Sequence, residues 1–302
     1  MTVAVLACLA ATAIFAVVGP IVGPRLPPAG GVRLLVCGSV LTAGSSAFAL
    51  GAMAFLGLAQ FSEVAEWGGW SPTVVRAGTD LPPIVSAGCG AVVLGTAGCA
   101  VVVAVQRGRA LLAVRRCCAG LGSPGSVTVV ESDTADAFTT PEMAGRIVIT
   151  TALLRVLTAQ QRHALLAHER SHLAHRHSWW LLVADLAAGV NPLLRPTATA
   201  IAQAVERWAD EDAATVVGDR RLVATAVATA ALARRRSVSP GLAAAGGHVP
   251  RRVRALLAPP PRRRPILLGT VIVLLACTAA ATIAVERSGD QIFDRAGISN
   301  SR

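Results

Sequence analysis

The chain has 302 residues, 53% of them hydrophobic and only 15% charged, with a mean hydropathy of +0.58. These values exclude an acidic or disordered chain, fit an ordinary soluble domain poorly, and point to a membrane protein. The formal charge of +11 is carried by arginine alone, because the sequence contains no lysine. Seven cysteines are an odd number, and Cys8, Cys37, Cys89, Cys99 and Cys277 lie in apolar stretches, so they read as small buried hydrophobes and not as a disulfide framework.

Taken in chain order, four uncharged stretches match the roughly 20 apolar residues that a hydrocarbon core requires: Thr2 to Val22, Leu34 to Ala59, Ile84 to Val105 and Ile266 to Val285. The first has no basic flank before it and is too long for a signal-peptide core, so it reads as a span. Arginines crowd the flanks after the first span (Arg25, Arg33), after the third (Arg107, Arg109, Arg115, Arg116) and before the fourth (Arg262, Arg263, Arg264), with only Arg76 between the second and third. The positive-inside rule then puts the N-terminus outside and the long segment between the third and fourth spans in the cytoplasm. Arg115 and Ser237 are expected inside, Trp70 and Ser299 outside. The domain reading is 1–105 for three spans, 106–265 for a cytoplasmic domain, 266–285 for the fourth span and 286–302 for a short outer tail. Topology accounts for the basic surplus, so the lipid bilayer is an expected partner and direct nucleic-acid binding is not.

Within 106–265, Val127 to Val130 and Arg146 to Thr150 read as short β-branched strands. Thr158 reads as the N-cap of a helix from Ala159 to about His177. Trp179 to Leu194 follows as a core or membrane-apposed helix, then helices over Thr197 to Val217, stopping at Gly218, and over Arg220 to Arg236.

Five of the six histidines, His163, His168, His172, His175 and His177, fall in one short run containing His168-Glu169-Arg170-Ser171-His172, an H-E-x-x-H. Independent placement at this composition gives the pattern roughly 0.003 times per chain, so accident explains it poorly. On a helix, residues four apart share a face about 6 Å apart along the axis, and both imidazoles can hold one tetrahedral Zn²⁺ while Glu169 reaches a water without being a ligand. His163, His175 and His177 read as structural or solvent-facing. A catalytic zinc needs a third protein ligand, and Glu206 on the later helix is the candidate. Asp210, one turn on, can take a hydrogen bond from the outer nitrogen of a ligand histidine. Asp212 is expected on another face and should tolerate alanine.

H-E-x-x-H followed by Glu206-x-x-Ala209-Asp210-x-x-Ala213 resembles the membrane-embedded gluzincin metallopeptidases. Two groups compete: the HtpX-like and CaaX-protease-like group, and the antirepressor group of BlaR/MecR type. The resemblance runs through Val127 to Val130, Ala137-Phe138, Arg146 to Thr150 and the zinc helix to Asp210, and more weakly to His248 and Arg252-Val253-Arg254-Ala255-Leu256. Three spans, a zinc domain and a fourth span match the BlaR/MecR order. That group's best-known members carry a penicillin-binding sensor after the last span, so direct beta-lactam sensing is not expected where only a short tail follows Val285.

The resemblance implies an α-helical protein of four transmembrane helices with an inserted cytoplasmic α+β gluzincin domain, a zinc endopeptidase of the bacterial cytoplasmic membrane. Its protein substrate would be one such as a transcriptional repressor. The alternatives are an HtpX-like quality-control protease and a non-catalytic signalling scaffold stabilised by zinc. By analogy Asp210 would hold His168. With no tyrosine in the chain, His248 and Arg252 are the candidate oxyanion donors. An extended substrate would pair with an edge strand beside the zinc helix, within Asp136 to Thr140 or Arg146 to Thr150.

Overall fold

A computed structural model describes residues 1–79, 81–118, 123, 125–140, 145–237, 249–262 and 264–300. Among the described residues four helices are long and apolar enough to cross a membrane: α1 (Thr2–Val22), α2 (Pro28–Leu58), α5 (Pro83–Cys118) and α12 (Pro265–Asn300). Short helices α3 (Ser62–Gly68) and α4 (Pro72–Ala77) lie between α2 and α5. α5 and α12 extend well beyond their apolar stretches. α12 runs on through 286–300, where the sequence suggests a tail, because Ile292, Phe293 and Ala296 pack on Leu56, Ala59, Trp70 and Val75. Trp70 also donates from Nε1 to the Ala59 carbonyl at 3.0 Å, whereas Trp67 is 95% exposed.

Between α5 and α12 come β1 (Val127–Val130), β2 (Ala137–Thr139), β3 (Ile147–Thr150), α6 (Thr151–Val156), α7 (Ala159–Ala174), α8 (His177–Val190), α9 (Arg195–Val217), α10 (Arg220–Ser237) and α11 (Val249–Leu257). The sheet order is β1-β3-β2, with β1 parallel to β3 and β2 antiparallel to it. β3 is therefore the central strand, all four of its residues are buried, and it cannot be the substrate-pairing edge. Ile147 and Ile149 pack with Leu153, Leu157 and Ala233, backed by Leu165, Leu166 and Leu173 of α7. This contact seats the sheet on α7.

The capping box expected at Thr158 is present: its hydroxyl accepts from the Gln161 N–H, and Gln161 Oε1 accepts from the Thr158 N–H. α7 ends earlier than its sequence suggests. Arg176 adopts a left-handed conformation (φ 51°), which turns the chain before α8. α8 and α9 then form a hairpin pressed into the membrane helices. Ala184, Ala187, Ala188, Leu194, Ile201, Ala204, Val205 and Trp208 share one core with Phe15, Val22, Leu35, Val36, Ala43 and Val271 of α1, α2 and α12. At its tip, Asn191 Nδ2 donates to Ser46 Oγ at 3.0 Å, and Ser46 lies about 18 Å beyond Leu34 along α2 at 1.5 Å per residue. Close approach needs small residues here: a Cβ on Gly189 would lie 3.1 Å from the Ala100 Cα of α5.

Candidate metal centre

α7 presents His168 and His172 one turn apart, and α9 packs across them to bring Glu206 opposite. The ligand-type atoms of these three residues all lie within 4.8 Å of one another. The two Nε2 atoms face each other at 3.1 Å, and the Glu206 oxygens stand 3.7 Å from each. Donors around a tetrahedral zinc with 2.0–2.1 Å bonds are about 3.3–3.4 Å apart, so two imidazoles and one carboxylate at these separations fit that ion. Burial, reinforced by the positive charge of His168, holds His172 down to about 3, so its ring is neutral and has a lone pair to offer.

Around this cluster the outer contacts are specific. Asp210, 2% exposed, places Oδ1 3.0 Å from His168 Nδ1. Arg252 of α11 forks onto the same carboxylate, Nε to Oδ2 at 2.8 Å and an Nη to Oδ1 at 2.6 Å, and its other Nη reaches Glu206 Oε2 at 2.9 Å. Burial would raise the Asp210 carboxyl, but the bonds from Arg252 and His168 pull it down to about 2. Burial alone would also depress His168, and the Asp210 bond and charge reverse this into a rise. Glu169 is 7% exposed, and burial pushes its carboxyl up, with Glu206 adding to the rise while His168, Arg234 and Arg252 oppose it. A carboxylate raised towards neutrality is suited to moving a proton.

The structure brings together His168, Glu169, His172, Glu206, Asp210 and Arg252. His248 lies outside the described residues. With Nε and both terminal nitrogens engaged, Arg252 first fixes Asp210 and Glu206, and acting on an oxyanion would require it to release Glu206.

Two expectations change. Asp212 is no idle surface acid: its Oδ2 accepts from Ser171 Oγ at 2.6 Å and lies 2.9 Å from His175 Nε2, tying α9 to α7. His163 is exposed as expected, but His177 is 1% exposed, with Nδ1 2.9 Å from His172 Nδ1. Burial, together with His172 and His175, holds His177 down to about 3, so it is neutral. If His172 offers its Nε2 lone pair, its Nδ1 carries the proton and donates it to His177. Nothing in the spacing announced this, because five residues along a continuous helix turn about 140° away. Only the break at Arg176 swings His177 back. Such outer partners orient a ligand ring, so His177→Ala should weaken zinc binding by about 10-fold or more in a chelator competition, with His177→Gln recovering part of it. Equal zinc affinity in His177→Ala and wild type would show that the contact orients nothing.

An H-E-x-x-H helix facing a distal glutamate inside a multi-span protein defines a membrane zinc metallopeptidase. Residues 107–237 match the family model of Peptidase family M48. The matched stretch takes in β1 to β3, α6 to α9 and the described part of α10, so the chain is similar to M48 peptidases across the segment that holds His168, Glu169, His172 and Glu206. No curated protein and no solved structure matches the chain.

Proposed function

We propose that this metallopeptidase is a regulatory endopeptidase of BlaR/MecR type in a bacterial cytoplasmic membrane. Its N-terminus would lie outside, its zinc domain in the cytoplasm, and its substrate would be a cytoplasmic protein such as a transcriptional repressor. The order of three apolar helices, zinc domain and fourth apolar helix, with arginine concentrated on the flanks of that domain, is the observation that supports it.

In this reading His168, His172 and Glu206 hold Zn²⁺, which supplies Lewis-acid polarisation of the scissile carbonyl and activation of water when bound. Glu169 removes the proton of the attacking water and passes it to the leaving amine, while Asp210 keeps His168 in its ligand tautomer. The substrate strand pairs with β2. The Asp136 carbonyl and Thr140 N–H are turned towards β3, so the alternate residues Ala137 and Thr139 face outward, and Arg234 already caps the Ala137 carbonyl at 3.3 Å. A second reading, a quality-control protease for membrane proteins, is favoured by the α8–α9 hairpin, which carries Glu206 directly out of the membrane-helix core.

The test compares protein N-termini in cells carrying wild type and Glu169→Gln. New termini in a soluble regulator support the first reading, termini in membrane proteins support the second, and no difference rejects both. For orientation, cysteine placed at Arg115 should be protected from an impermeant thiol reagent added outside, and cysteine placed at the exposed Trp67 should react. The opposite pattern would invert the topology.

A further inference from the structure

Beside the α8–α9 hairpin, away from the metal centre, is a cavity of about 430 Å³ whose walls include Cys99, Gln106 and Arg107 of α5, Asp185 and Gly189 of α8, and Arg195 of α9. It straddles the place where the apolar stretch of α5 gives out: Cys99 lies within that stretch, and Gln106 and Arg107 lie just past its end. None of the most apolar window of α5 is buried in the protein, so this side of the bundle faces the bilayer.

The charges in the cavity do not balance. Arg107 is paired with Asp185 at 2.5 Å, whereas Arg195 is exposed and has no carboxylate partner among the described residues. Arg195 opens α9 four residues after the Asn191 that reaches Ser46, so its backbone starts within the apolar zone. An arginine at that depth is costly unless an anion or water meets it, and it normally marks a binding site. A tryptophan half exposed at 52%, Trp179, stands on α8 less than two turns from Asp185, where an aromatic ring is expected at headgroup level.

We propose that this cavity binds an anionic phospholipid, its phosphate meeting Arg195 and the free edge of Arg107, Gln106 donating beside it, and its acyl chains descending along the exposed face of α5. A lipid is favoured over a soluble anion because the cavity lies beside the unburied apolar stretch of α5, along which acyl chains can run. Asp185 competes with the lipid for Arg107. The proposal is independent of peptidase activity and is tested by binding alone.

The full chain is reconstituted in bilayer discs of phosphatidylcholine, with and without phosphatidylglycerol, and retained lipid is counted by native mass spectrometry after transfer to mild detergent. Wild type should retain phosphatidylglycerol in preference to phosphatidylcholine. Arg195→Gln should lower that retention about fivefold, the usual worth of one basic residue at an anionic surface, and Arg195→Lys should keep most of it. Asp185→Asn should raise it, a change of opposite sign that general destabilisation would not produce and that decides the matter should Arg195→Gln fail to fold. Glycerol phosphate without acyl chains should not displace the lipid. Equal retention of the two lipids by wild type, unchanged retention in Arg195→Gln, displacement by glycerol phosphate, or a co-purified polypeptide crosslinked to the cavity in place of lipid would each overturn the proposal.

Discussion

Glu169→Gln is expected to keep its zinc and to lose peptide hydrolysis by about 10²–10⁴-fold, the usual contribution of a positioned general base. The substitution suits the site. Burial disfavours the charged carboxylate, so an uncharged amide of the same size removes a desolvation penalty, and the fold should hold. His168→Ala, His172→Ala and Glu206→Ala should behave in the opposite way, losing metal first and activity as a consequence, since each removes one of three donors. Metal analysis of the four purified variants, alongside cleavage of an unstructured reporter peptide, separates the roles. A zinc-free Glu169→Gln protein, or one that still cleaves at the wild-type rate, would mean that proton transfer and coordination have been assigned to the wrong residues.

Much of this centre is legible in the sequence because it depends on local periodicity. The i, i+4 spacing puts His168 and His172 on one helical face, and the same spacing on α9 puts Glu206 and Asp210 together. Capping at Thr158 follows from a Thr with Gln three residues on, a purely local signal. What could not be read depends on where chains turn and which elements meet. The H-run looks like one helix through His177, and a left-handed Arg176 is not something arginine advertises. Asp212 looks like an acid on a solvated face until α7 supplies Ser171 and His175. Trp179 to Leu194 is apolar enough for a core helix and too short for a span. Its insertion among α1, α2 and α5 follows from small-residue contacts such as Gly189 on Ala100, which hydropathy does not register. Strand order escapes in the same way, because Ile147–Thr150 reads equally well as an edge or a centre until β2 takes its open side.

Asp210→Ala should be the most damaging substitution outside the zinc ligands, for two separable reasons. His168 loses the acceptor that orients its ring, which should lower zinc affinity by about 10- to 100-fold. Arg252, at 18% side-chain exposure, loses a two-pronged partner and keeps only Glu206, and removing one member of a buried pair typically destabilises by about 3–5 kcal/mol. Asparagine is a poor substitute here. Oδ1 of Asp210 serves both His168 and Arg252, and Oδ2 takes the Arg252 Nε–H, so an amide nitrogen in either place would face a donor with another donor. Asp210→Asn should therefore fall nearer to Ala than to wild type. Arg252→Met separates the two effects: it removes the cation but leaves the Asp210 to His168 contact, so unfolding should be eased while much of the zinc affinity remains. Glu131→Ala, at an exposed acid with no described partner, is the appropriate control and should stay within about 0.5 kcal/mol of wild type. Chemical denaturation and chelator competition on the same preparations measure both quantities. If Asp210→Ala matched Glu131→Ala in both, the Asp210 to His168 contact would carry no function, and the case for Glu206 as the third ligand on the same helix face would weaken with it.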